Sequence, residues 1–395
     1  MLKKILGGVT AAQGYSAAGI SCGIRKKGRP DLALVFSELP AQAAGVFTTN
    51  KVKAAPVVIS QERVKEAVTR GVLINSGIAN ACVGAAGFSA ALAISQSLAQ
   101  YLKVKTEEIL LASTGVIGVP LPTEQIVEAI PALVDGLSTT GGEAAAHAIM
   151  TTDTYAKEWA VELKNGVKIG GMAKGSGMIQ PNMATMLSVI TTDAQLDQGV
   201  LQELLQKAVK KTFNRITVDG DTSTNDSLFL LANGASGKVL KTGEELEEFY
   251  AGLYEVCLQL AQMLVKDGEG ATKFLAVRVS GARSEEEAEQ AARAVANSSL
   301  VKTAFFGEDA NWGRILAAVG YSGIDFLPEQ VEISLGDLLV YFGGGIPFDE
   351  TRASKILSEH EIEVTIDLKQ GAAEAVVWTC DLSYDYVKIN GSYRS

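Results

Sequence analysis

The sequence predicts an α+β fold, a layered α/β sandwich with two subdomains. Three observations carry that prediction. Short apolar runs alternate with helical patterns along the whole chain, its 395 residues exceed an ordinary single domain, and several strand-like runs follow one another near the end.

The elements follow in order. Residues 72–75 read as a strand ending in a glycine-punctuated turn at 76–80, and the Ala- and Leu-rich residues 88–102 as a helix. Residues 109–113 form a second buried strand that closes on Thr114 and Gly115. Residues 124–137 have helical spacing, with Pro131 expected to bend or interrupt them. Residues 186–192 are β-branched and apolar, hence a central strand; 197–213 have helical period and 227–232 are strand-like. Thr242 with Glu245, and Ser284 with Glu287, are capping boxes that open amphipathic helices, with an alternating strand at 274–279 between them. The runs 331–335, 338–342, 362–366 and 375–379 should pair in a mostly antiparallel sheet. There is no internal repeat, and the acidic helices around Glu244 and Glu285 read as solvated faces.

Composition narrows the function. A chain that is 47% hydrophobic and 20% charged builds a substantial core. Its net charge of −10 argues against an extended nucleic-acid surface, so Lys207, Lys210 and Lys211 read as a solvated helix face. No apolar run is long enough to cross a bilayer, and the apolar part of the basic N-terminus stops too soon for a signal peptide. A cytoplasmic protein is expected. Cys22, Cys82, Cys257 and Cys380 form no C-x-x-C pair, and His147 and His360 are the only histidines. Reduced thiols, no metal site and no Ser-His-Asp machinery are therefore expected, nor is any cofactor.

The segment 174–194 is the most informative. A glycine-rich run ends in Ala184, then Thr185, then the apolar strand. That order suits a chain that cuts itself before Thr185 and uses the new terminal threonine as a nucleophile. A terminal threonine carries its own base, an α-amine with a pKa of about 7.7–8.0. The same residues also fit a plain loop entering a core strand. Residues 112–118 offer an oxyanion candidate, because a hydroxyl at a strand end stands beside a glycine whose N–H a ligand can approach closely. Asp219 and its neighbours begin like a calcium loop but lack its later glycine and glutamate; residues 170–177 lack the order of a P-loop.

Blocks at 14–20, 43–50, 75–82, 112–118, 150–154, 174–194, 217–226, 307–314 and 386–395 together resemble the ornithine acetyltransferase family, bifunctional enzymes of arginine biosynthesis. The resemblance covers essentially the whole chain. It implies the layered fold of the ornithine acetyltransferase and aminopeptidase type, with the nucleophile threonine at a strand start. It makes Thr185 the nucleophile, Ala184–Thr185 the scissile bond, and Thr114 with Gly115 the oxyanion hole. Thr151 or Thr152, Lys174, Thr185, Glu269, Asn390 and Ser395 line the substrate pocket, with both adjacent threonines left as candidates. Lys174 suits a substrate carboxylate and Glu269 the side-chain ammonium of ornithine. The products are an α-subunit, 1–184, and a β-subunit, 185–395, associated as an α2β2 heterotetramer. The implied reaction moves acetyl from N-acetylornithine to glutamate, and the reading favours acetyl-CoA as a second donor, which the sequence itself does not decide. Two other readings stand beside it: an N-terminal-threonine aminopeptidase or amidohydrolase, and a noncatalytic amino-acid-binding protein.

Overall fold

The computed structural model describes residues 2–25, 28–66, 68–180, 186–241 and 243–392. Ala184, Thr185, Ser395 and the capping residue Thr242 lie outside them. The described residues form two compact units: those of 1–175, 181–214 and 222–264, and those of 176–180, 215–221 and 265–395.

The first unit is built on one nine-stranded sheet. Its strands are β1 (Lys3–Ile5), β2 (Tyr15–Ile20), β3 (Leu32–Phe47), β4 (Thr69–Ile78), β5 (Ile109–Val116), β6 (Lys157–Glu162), β7 (Lys168–Lys174), β8 (Leu187–Thr192) and β9 (Ser227–Ala232). They run in the order β1-β6-β7-β8-β9-β3-β4-β5, with β2 also paired to β3. β8 and β9 are parallel and every residue of both is buried, which is why they read as unbroken apolar runs.

Layering follows from alternation in the strands. Ala33, Val35, Val72, Ile74, Leu110 and Ala112 face a core shared with α4 (Gly142–Ile149). Leu32, Leu34, Leu73, Ile109 and Leu111 face the other way, into a core shared with α2 (Ala85–Leu102) and α3 (Thr123–Asp135). The sheet is thus covered on both faces. α1 (Ala55–Arg63), α5 (Gln198–Lys211) and most of α6 (Glu244–Lys266) complete the unit.

The second unit carries the five-stranded sheet β12-β11-β13-β10-β14, from β10 (Phe274–Ala282), β11 (Glu332–Leu335), β12 (Leu338–Phe342), β13 (Glu361–Asp367) and β14 (Ala373–Cys380). Only β10 and β13 are parallel, as the mostly antiparallel expectation requires. Ala288, Ala291, Ala292 and Val295 of α7 (Glu285–Asn297) pack into the core with Leu275, Val277 and Val279. α8 (Ser299–Phe306), α9 (Trp312–Gly320), α10 (Glu350–Leu357) and α11 (Tyr384–Gly391) follow.

Several local expectations change. β4 and β5 run on through the anticipated turns, because Ser76 stays opposite Thr114 and Gly77 opposite Gly115. Pro131 lies inside α3 without ending it; the buried stripe Ile126, Ile130 and Leu133 offsets a cost of about 3 kcal/mol. Ser284 does accept the Glu287 N–H, but the Glu287 carboxylate binds Arg283 through two nitrogens, at 3.0 and 2.8 Å. The acidic start of α7 is also more than a solvated face, since Glu285 and Glu289 pair with the buried Arg215.

Candidate active site

In the first unit, β7 ends at Lys174 and β5 carries Thr114 and Gly115. The Lys174 ammonium, only 7% exposed, donates to Thr114 Oγ1 at 3.2 Å. A hydroxyl that accepts this bond keeps its own hydrogen to donate elsewhere. Lys174 stands level with Leu187 of β8, which stands level with Ser227 of β9. The lysine therefore marks the end of the sheet where the 181–185 segment joins β8 in sequence.

Gly115 has φ +129°, and a Cβ there would sit 2.2 Å from the carbonyl carbon of Gly77 and 2.6 Å from the amide nitrogen of Ile78. No side chain fits. Gly115→Ala must push the end of β5 off β4, and on the expectation that Gly115 is an oxyanion donor kcat should fall about 100-fold or more. Steady-state rates check this.

Asp153 organises what surrounds Lys174. Its buried carboxylate accepts from Lys157 Nζ at 2.7 Å, from the Gly175 N–H at 2.7 Å and from the Thr151 N–H at 2.9 Å. Burial pushes its pKa up, but Lys174, Lys157 and these hydrogen bonds outweigh burial and hold it at about 2. Arg25 fixes the same loop, donating to the carbonyls of Met150 (2.7 Å) and Thr151 (3.0 Å). Thr151 and Thr152 both stay half-buried, so the choice between them stands as before.

Burial also drives Asp226 well above the usual carboxylate range, with a Ser223 hydrogen bond and the charge of Lys174 pulling the other way. Lys157 and Lys174 both act on the buried Asp153 carboxylate, which makes this a charged, buried setting. Asn225 ties it to the strand ends, donating to the carbonyls of Ala79 (2.6 Å) and Ser113 (2.8 Å).

In the second unit, Glu269 lies in the turn after α6 and is 7% exposed. Asn390 of α11 donates to Glu269 Oε2 at 2.8 Å, so these two predicted residues meet. The turn needs Gly270 (φ +71°), where a Cβ would come within 2.5 Å of the Tyr386 amide nitrogen. The Glu269 N–H donates to the Ser176 carbonyl at 2.8 Å. At Gly177 a Cβ would lie 2.3 Å from Glu269 Oε2 and 2.4 Å from its Cδ. Gly177→Ala should displace the carboxylate, and on the expectation that Glu269 holds a substrate ammonium KM should rise about tenfold with a smaller change in kcat, as loss of uniform binding requires. Initial-rate kinetics read it directly.

Of the predicted residues, Thr114, Gly115, Lys174, Thr151 and Thr152 belong to the first unit and Glu269 with Asn390 to the second. Sequence reasoning missed Asp153 and Arg25. Asp153 lay inside the 150–154 block, and the lysine four residues on was its one available signal. Among the described residues no group of His, Cys, Asp and Glu could hold a metal ion, and no helix is long and apolar enough to cross a membrane.

Comparison with known proteins gives the frame for this geometry. The family model for the ArgJ family matches residues 16–395. The arginine biosynthesis bifunctional protein ArgJ of Symbiobacterium thermophilum is 50% identical over 402 residues, covering 100% of both chains. That of Desulfotalea psychrophila is 53% identical over 392 residues, covering 97% of this chain and 99% of its own. A solved chain of the Bacillus halodurans bifunctional protein ArgJ is 42% identical with a TM-score of 0.52, covering 53% of this chain and all of its own. With a match over nearly its whole length and relatives of this identity, the chain belongs to the ArgJ family.

Proposed function

We propose that this ArgJ-family enzyme moves an acetyl group from N-acetylornithine to glutamate through an acetyl ester on Thr185. What supports the reading above all is the match of residues 16–395 to the family, at about half identity to bifunctional arginine-biosynthesis proteins. The enzyme is an acetyltransferase of arginine biosynthesis. The proposal adds its residues and their roles.

Processing comes first. Thr185 Oγ attacks the Ala184 carbonyl, the C–N bond breaks with its nitrogen taking the hydroxyl proton, and water opens the ester. Fragments 1–184 and 185–395 stay together, since β7 pairs with β8 and β3 with β9 across that break. In the mature enzyme the α-amine of Thr185 takes the hydroxyl proton and Oγ attacks the acetyl carbonyl. Thr114 and Gly115 donate to the oxyanion. Lys174, held between Thr114 and Asp153, takes the substrate α-carboxylate. Glu269, braced by Asn390, takes the ornithine ammonium, and Thr151 or Thr152 and Ser395 complete the pocket. Ornithine leaves, and the glutamate amine then takes the acetyl group.

Acetyl-CoA as a second donor, an α2β2 assembly and a cytoplasmic location belong to the same proposal. Two half-reactions through one ester imply ping-pong kinetics. Enzyme mixed with N-acetylornithine but no glutamate should gain one acetyl mass on the fragment beginning at Thr185. Absence of that adduct, with intersecting double-reciprocal plots, would exclude the ester route.

A further inference from the structure

We propose that Asp219 is a positioning residue for self-cleavage, clamping the backbone of Met178 and Ile179 a few residues before the 184–185 bond in sequence. The inference rests on the self-processing reading and extends it to a residue outside the substrate pocket.

The grip lies within the second unit. Asp219 Oδ2 accepts the Met178 N–H at 2.6 Å and Oδ1 accepts the Ile179 N–H at 2.8 Å. The Ile179 carbonyl in turn accepts the Val218 N–H at 2.7 Å, and Gln180 Oε1 accepts from Asn297 Nδ2 at 2.7 Å. Residues 176–180 are thus held at both backbone and side chain, immediately before the segment that runs to Thr185.

The conformation of Met178 shows that the hold is specific. Its φ is +55°, left-handed backbone that a side chain disfavours, and the residue is 44% exposed, so burial does not explain the choice. Left-handed geometry at 178 turns successive N–H groups to one side, a concave anion-binding shape that the Asp219 carboxylate fills. Tyr386 OH, at 3.4 Å from Oδ2, and the Asp221 N–H, at 3.3 Å from Oδ1, approach the same carboxylate.

Asp219 forms no bond and takes no proton in cleavage. Its contribution is geometric: attack of a hydroxyl on the carbonyl before it needs a near-attack arrangement, and a chain free to sample many paths reaches it seldom. Asn at 219 keeps the size but replaces one acceptor with a donor, setting N–H against N–H. Gly at 178 adopts the left-handed conformation without steric cost and so needs the clamp less.

The test follows full-length precursor made by cell-free translation, with the cleaved fraction read by intact mass. Wild type should cleave and Thr185→Ala should not. D219N should cleave at least thirtyfold more slowly, and adding M178G should recover at least tenfold of that loss. In the uncleavable Thr185→Ala chain, D219N should speed hydrogen exchange at the Met178 and Ile179 amides at least tenfold. With wild type cleaving, a D219N chain that cleaves at the wild-type rate, a slowed one that M178G does not rescue, or unchanged exchange each overturns the clamp alone. A wild-type precursor that never cleaves overturns the self-processing reading and the clamp together.

Discussion

Under the proposed mechanism Thr185→Ala should leave one uncut chain and lower acetyl transfer by at least about ten-thousand-fold, because the substitution removes the proposed attacking atom. Among the described residues the Thr114 hydroxyl accepts from Lys174, and burial pushes the Asp226 carboxyl toward its neutral form. Binding should largely survive, since the proposed substrate contacts at Lys174 and Glu269 are untouched. Isothermal titration with N-acetylornithine against the single-chain variant, beside a transfer assay, separates the two effects.

Asp153→Asn should be the most damaging change outside the reacting atoms. Lys157 and Asp153 side chains are both fully buried and 2.7 Å apart. Removing one partner strands the other charge, which typically costs about 3–5 kcal/mol. For a unit of this size that lowers the melting temperature by about 10 °C. The loop bearing Thr151 and the residue after Lys174 lose a strong acceptor as well, so KM should rise along with the loss of stability. Replacing both partners by apolar residues should restore much of the stability but not KM.

The same carboxylate sets an acid limit. Its pKa is about 2 in the folded chain against an ordinary 3.8. A depressed carboxylate stabilises the fold above the unfolded value and loses that contribution as pH falls toward the folded one. Roughly 2 kcal/mol should therefore disappear between about pH 4 and pH 2, and Asp153→Asn should flatten that part of the profile. Urea unfolding midpoints across that range measure it.

What the sequence revealed, and what it hid, has physical causes. β8 and β9 were legible because burial on both faces demands unbroken apolar runs, and β10 because its residues alternate. The sixteen-residue β3 was not: it pairs β4 with its first part and β9 with its last, and the register shift between Phe36 and Ala41 contains Pro40, which reads as a breaker. Thr114, Gly115, Lys174, Glu269 and Asn390 could be named from motif resemblance, and contacts within each unit join Thr114 to Lys174 and Glu269 to Asn390. Asp153 escaped because its partners are two backbone amides and a buried lysine, and backbone partners leave no residue-type signature. Asp219 escaped for the same reason. Its surroundings read as a failed calcium loop, while its acceptors point at amides some forty residues earlier.

The measurement that bears most directly on the central claim is the intact mass spectrum of freshly purified wild-type protein, taken beside Thr185→Ala. The account predicts two wild-type fragments, 1–184 and 185–395, that co-elute under native conditions, and one full-length mutant chain. A folded wild type that remains a single uncut chain would contradict it, removing the terminal threonine as the nucleophile.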